Sequence, residues 1–110
     1  MKVKKKLKLT FLIVKREVSN KVVVFFKDAG FKDYFSFYAK GSANMAILDY
    51  LGIGETEHNV IVYPNNEEDS KVMMDMIKNS ELLKDVIAFR VPIKGISSLK
   101  ILNYFLKEEY

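Results

Sequence analysis

The sequence contains one histidine, His58, set in the acidic run "GETEHNV" beside Glu55 and Glu57. Imidazole and carboxylate are the groups that hold a divalent metal or shuttle a proton near neutral pH. The spacing argues against both roles. Residues entering a strand point alternately to opposite sides, so positions 55, 57 and 58 do not converge on one point. A solvated strand entrance is the plainer reading. Arg16, in "KREVSNK", stands where an acylphosphatase-like enzyme would need an anion-cradling loop, but no glycine there lets the backbone wrap a phosphate. Cysteine is absent, which excludes disulfides and thiolate metal sites. No catalytic centre is expected, and neither a metal nor a tightly held cofactor.

A second chemistry-bearing stretch is "KGSANMAILDYLGIGETEHNV", residues 40–60, with Gly41, Gly52 and Gly54 around a short helical pattern at 44–51. Gly41 and Ser42 could present backbone amides to an anion at the start of that helix. Punctuation is the competing role: Gly41 ending a strand, Gly52 and Gly54 ending the helix.

These residues need a frame. A chain of 110 residues, 49% hydrophobic and 29% charged, suits one domain with one core, expected to span 1–110. The longest apolar run, 22–26, is far too short to cross a bilayer. The start "MKVKKKLKLTFLIV" places basic residues before apolar ones, as a signal peptide does, yet Lys8 and Thr10 interrupt the apolar part and no small-residue cleavage site follows. A strand and a cytoplasmic location are expected instead. The net charge of +4 is concentrated in Lys2, Lys4, Lys5 and Lys6, read as a frayed and solvated terminus. The rest is near neutral, unlike the spread basic surface of a duplex-binding protein.

Along the chain, 7–15 reads as an inner strand, alternating and then continuously apolar. Ser19 is a plausible N-cap for a helix carrying Val22, Val23, Phe25 and Phe26, with Gly30 as its natural end. The β-branched run 22–24 pulls mildly toward a strand. Residues 34–39 are extended, and aromatics on both faces suggest that both are covered. Residues 58–64 form a third strand stopped by Pro64. An acidic turn, "NNEED", then opens a helix over 70–83. There Val72, Met73, Met76 and Ile77 make one apolar face and Met74 lies off it, a pattern that serves core packing better than a ligand surface. Residues 86–93 give a fourth strand, and Ser97 or Ser98 can cap a helix with Ile96, Leu99, Leu102 and Leu106 on one side. The order predicts an α+β fold: a ferredoxin-like split β-α-β sandwich with a four-stranded antiparallel sheet, a short helix between strands 2 and 3, and a C-terminal helix.

Such a scaffold hosts many functions. Single-stranded RNA modules display aromatics on the first and third strands. Here those strands offer Phe11 and Tyr63 alone, while Tyr34, Phe35, Phe37 and Tyr38 gather on the second, as a buried subunit interface would have them.

"YAKGSANMAILDYLGIGETEHNVIVYP", followed after a helix by "IAFRVPIKGISS", resembles the P-II-like signalling proteins. In that superfamily a strand ends at a Lys-Gly pair, a loop projects, and a third strand returns. A helix and a hydrophobic-Phe-x-x-Pro-hydrophobic strand then follow. Lys40-Gly41 matches the loop base, and Ala88, Phe89, Pro92 and Ile93 match the strand; the similarity spans roughly 7 to 100. The resemblance implies a homotrimer with its sheets facing inward. It would be a regulator rather than a catalyst, binding a small effector such as an adenine nucleotide between subunits and acting on a partner transporter or enzyme. Neither nucleic-acid binding nor an integral membrane segment is implied. By the same resemblance the ligand set comprises Lys40, Gly41, Ser42, Lys84, Arg90 and Lys100. Lys100 stands where other members have a phosphate-facing arginine, and Ser98 replaces another. The chain departs from the family at the glycine-rich phosphate loop: Lys84 and Val86 occupy glycine positions and Ile87 a basic one. The long loop with its modifiable tyrosine is also missing; Tyr50 lies in the short helix instead. Two alternatives remain: a single-stranded RNA-binding module on a ferredoxin-like sheet, or a P-II-like member whose pocket has degenerated, with partner binding only.

Overall fold

The computed structural model describes residues 2–40 and 57–95 of the chain. Strand β1 (Lys2–Lys15) passes through a 3-10 turn, Arg16–Val18, into helix α1 (Ser19–Asp28). Strand β2 (Phe35–Lys40) and strand β3 (Glu57–Asn66) follow, then helix α2 (Glu67–Asn79), a 3-10 turn at Glu81–Leu83, and strand β4 (Ile87–Gly95). The strands form one antiparallel sheet in the order β2-β3-β1-β4. This is the α+β architecture that the sequence predicts. Its two described helices follow β1 and β3. The short helix expected at 44–51 and the C-terminal helix expected from 98 lie outside the described residues.

Alternation along β1 and β3 assigns the two faces of the sheet. Leu12, Val14, Ile61 and Tyr63 face the helices and pack with Val22, Phe26, Met73 and Leu83, each 1% exposed or less. Val22 and Phe26 are one helical turn apart, so α1 lays a single stripe on the sheet. That burial outweighs the mild strand preference of the β-branched run; Val24, on the far side, stays exposed. The two residues that interrupt the apolar pattern of β1 are also helix-facing. Thr10 Oγ1 donates to Asn65 Oδ1 at 3.1 Å and accepts from the Ser70 hydroxyl at 2.9 Å; Asn65 Nδ2 donates to Met73 Sδ at 3.0 Å. Lys8 Nζ lies 3.6 Å from Glu67 Oε2.

Several boundaries differ from the sequence reading. β1 begins at Lys2, so the basic segment continues a strand instead of fraying. Ser19 is the first residue of α1 and not its cap; its Oγ accepts from Asn59 Nδ2 at 2.9 Å, tying the helix to β3. β3 runs through Pro64 to Asn66, because β2 pairs no farther than Val62 and the proline needs only the β1 side of the ladder. α2 starts at Glu67, three residues earlier than expected. Asn66 caps it by accepting from the Asp69 amide at 2.7 Å, and this leaves Ser70 inside the helix and buried. The α2 stripe is Met73, Met76 and Ile77, whereas Val72 is exposed. Gly30 ends α1 as expected. At φ +97° it closes a Schellman motif in which Phe31 N donates to Phe26 O at 2.9 Å and Gly30 N to Lys27 O at 3.0 Å. The Phe31 ring meets Phe26 edge-on, centroids 6.2 Å apart.

Candidate functional site

The opposite face of the sheet is built from the other half of the alternation. Leu7, Leu9, Phe11 and Ile13 of β1 lie beside Val60, Val62 and Pro64 of β3, flanked by Ile87, Phe89, Val91 and Ile93 of β4 and by Phe35 and Phe37 of β2. The Phe11 and Phe89 rings stack at 5.0 Å and 4° across the β1–β4 pair. No described helix lies on this face. Phe35 (47%), Phe37 (51%), Phe89 (41%) and Val91 (38%) are exposed there, and no positive side chain lies among the residues just named. The exposed groups lie on the two edge strands, whereas Leu7, Ile13, Val60 and Val62 of the inner strands are buried. The sequence reading expected both faces of the aromatic strand to be covered; its side chains are exposed on both, Tyr34 and Tyr38 on the helix side included.

A polar cluster stands where β1 and β2 end and β3 begins, at the base of the 41–56 crossover. Arg16 Nη1 donates to Glu57 Oε2 at 3.1 Å, and its guanidinium sits 4.9 Å from the centroid of the Tyr38 ring. The Tyr38 hydroxyl titrates above its ordinary value, chiefly because it is hydrogen-bonded to the Glu57 carboxylate, with desolvation a lesser cause. The Arg16 side chain is 60% exposed, so its planar fork is open to solvent beside the crossover. Sequence reasoning weighed Arg16 only as part of a phosphatase loop. Its partner lies 41 positions away, and the signal that could have found it is the strand register, which sets Lys15 against His58. His58 is buried and faces away from Glu57, as the alternation argument requires. Among the described residues no three His, Cys, Asp or Glu side chains could hold a metal ion; Glu55 lies outside them.

Of the ligand residues expected from sequence, Lys40 pairs with Glu57 at this same end of the sheet. Lys84 is exposed and sits just before β4, also at that end. β2 and β4 are opposite edges, about 14 Å apart across three strand spacings, so one subunit does not bring these two residues together. Arg90 is midway along the edge strand β4, opposite Thr10, and faces the helices; its buried Nη1 makes no hydrogen bond and is 3.7 Å from Glu67 Oε1. Gly41, Ser42 and Lys100 lie outside the described residues, as do Tyr50, Ser98 and the other two crossover glycines.

A four-stranded antiparallel sheet carrying two helices on one face, with strand order β2-β3-β1-β4, defines a protein of the ferredoxin-like α+β class. Within that class the chain superposes on a protein of Thermus thermophilus provisionally assigned as a PII-like signaling protein. The TM-score is 0.59 at 16% identity, over 84% of this chain and 90% of that one. The likeness is one of fold. Neither a protein-family profile nor a curated protein sequence matches the chain.

Proposed function

We infer that the chain is a PII-like regulatory protein. It assembles as a homotrimer through the open sheet face, binds a small effector between subunits, and modulates a partner transporter or enzyme without catalysis. The observation that carries this reading is the exposure of Phe35 and Phe37 on one edge strand and of Phe89 and Val91 on the other, all on the face away from the described helices. Subunit contact would also answer the separation of Lys40 from Lys84, since an edge of one sheet can approach an edge of the next. The effector contacts are assigned to Lys40, Gly41, Ser42, Lys84, Arg90 and Lys100, although Arg90 faces the helices beside Glu67 and not the sheet end that carries Lys40 and Lys84, and an adenine nucleotide is the first candidate. The RNA reading finds less support: Tyr63 turns toward the helices, so β3 offers no aromatic on the open face.

Light scattering with calorimetric titration against ATP, ADP, AMP, cyclic AMP and bicarbonate tests the reading. A trimer binding one ligand per subunit is the expected result. A stable monomer would sink it. A trimer indifferent to all five ligands would leave assembly standing and reduce the function to partner binding.

A further inference from the structure

The middle of the open sheet face is buried more deeply than its described neighbours can account for. All four residues that β3 turns to this face are buried: His58 at 7% exposure, Val60 at 9%, Val62 at 0%, and Pro64. Leu7 and Ile13 of the adjoining β1 are buried as well. Side chains stand roughly perpendicular to a sheet, so flanking residues shield the sides of a neighbour and leave its tip to solvent. Pro64 lacks even a flank on one side, because β2 pairs no farther than Val62. These are burials within a single chain, so the cover belongs to the chain itself and lies outside the described residues. Two stretches of any length are left, 41–56 and 96–110.

The shape of the buried band selects between them. From His58 to Pro64 it runs about 20 Å along β3, with exposed residues on the edge strands to either side. A helix is about 10 Å across, two strand spacings, and covers about 20 Å with 13 or so residues. The helical pattern in the crossover, 44–51, covers only about 12 Å. The crossover also leaves and rejoins the sheet at its His58 end, where Lys40 pairs with Glu57, far from Pro64 and Leu7. The C-terminal stretch leaves β4 at Gly95, just past the Ile93–Leu7 pair and so at the Pro64 end. A chain turning back there runs straight along the band. At helical spacing Leu99, Leu102, Phe105 and Leu106 share one side, and Lys100, Asn103 and Lys107 share the other.

We propose that residues 96–110 fold back over the open sheet face as an amphipathic helix, seating Leu99, Leu102, Phe105 and Leu106 on the β3 band. Its polar side, Lys100 included, faces outward, and the edges β2 and β4 stay free to meet other copies. The proposal goes beyond the trimer reading, which draws on those edges. The chain has no cysteine, so Asn103→Cys takes a nitroxide label at a single site on the polar side. In methyl NMR spectra of the full chain the label should broaden the signals of Ile13, Val60 and Val62. It should spare Leu12, Val14 and Val22 in the helix-facing core. Broadening should survive dilution with excess unlabelled chain, as contact within one copy requires. Adding Leu102→Asp should restore the lost signals, with the Val22 methyls reporting an intact helix layer, whereas Lys107→Asp should not. Open-face signals indifferent to the label overturn the proposal. So does broadening that disappears on dilution, or that comes instead from a label at Asp49→Cys in the crossover. Mass does not enter these readings: a monomer that shows the broadening sinks the trimer alone, and a trimer without it sinks only this proposal.

Discussion

Arg16 Nη1 and Glu57 Oε2, 3.1 Å apart, join the end of β1 to the first residue of β3 and so clamp the base of the crossover. Both side chains are half exposed or more, at 60% and 50%. Solvent therefore screens most of the attraction, and an exposed pair of this kind contributes about 0.2–1 kcal/mol. Arg16→Ala and Glu57→Gln should each be mild, with a double-mutant coupling in that range that shrinks in high salt. Urea denaturation of the four proteins measures it. Coupling above about 2 kcal/mol would mean that the cluster holds the fold itself and not merely the crossover base.

Thr10 is the opposite case: fully buried, and engaged with both Asn65 and Ser70. Thr10→Val keeps the shape but leaves the Asn65 carbonyl and the Ser70 hydroxyl without their partner. Loss of a buried partner costs about 1–3 kcal/mol. Thermal and urea unfolding should show that loss, and adding Ser70→Ala should recover part of it by removing one stranded group. A Thr10→Val protein as stable as the parent would show that Asn65 and Ser70 find other partners.

Hydrophobic period made the four strands and both described helices legible, since Leu12/Val14, Ile61/Tyr63 and Val22/Phe26 are the residues that pack. Boundaries were less legible because they depend on partners far away in sequence. Pro64 ends a strand only if both neighbours continue beside it, and β2 does not. Ser19 looks like a cap until Asn59 of β3 takes its hydroxyl. The two-sided aromatics of β2 pointed to an interface; in the single chain they are exposed on both sides, which leaves their partner unread. The Arg16–Glu57–Tyr38 cluster was illegible, because its members gain proximity only through the β1–β3 and β2–β3 registers.

Tyr63 makes alkaline pH informative. Its hydroxyl is buried with no hydrogen-bond partner, and burial, with nearby Tyr34 a lesser cause, pushes its titration well above the ordinary tyrosine value. The folded state therefore resists deprotonation more than the unfolded chain does. The resulting stability is complete below the unfolded value, about pH 10, and is lost as pH rises from there through the folded value. Tyr63→Phe removes both the stranded hydroxyl and the titration. It should be neutral or slightly stabilising at about pH 7 and should flatten the decline above about pH 10, as followed by circular dichroism. An unchanged alkaline limb would assign that decline to other groups.

The open face gives the most discriminating substitution. Phe89 stacks on Phe11 yet leaves 41% of itself exposed, an area of about 80 Å² given the size of a phenylalanine. Covering it in an assembly would contribute about 2 kcal/mol per subunit at the usual coefficient for apolar area. Phe89→Glu would place a carboxylate in that contact, whereas on a free surface the same change merely improves solubility. A three-copy parent that becomes a folded single copy on Phe89→Glu is the expected result. Phe37→Asp on the opposite edge should act alike if both exposed edges meet neighbouring copies. If both variants keep the parent's mass while only their solubility rises, the face is not where the copies meet, and the subunit contact must be sought on another surface.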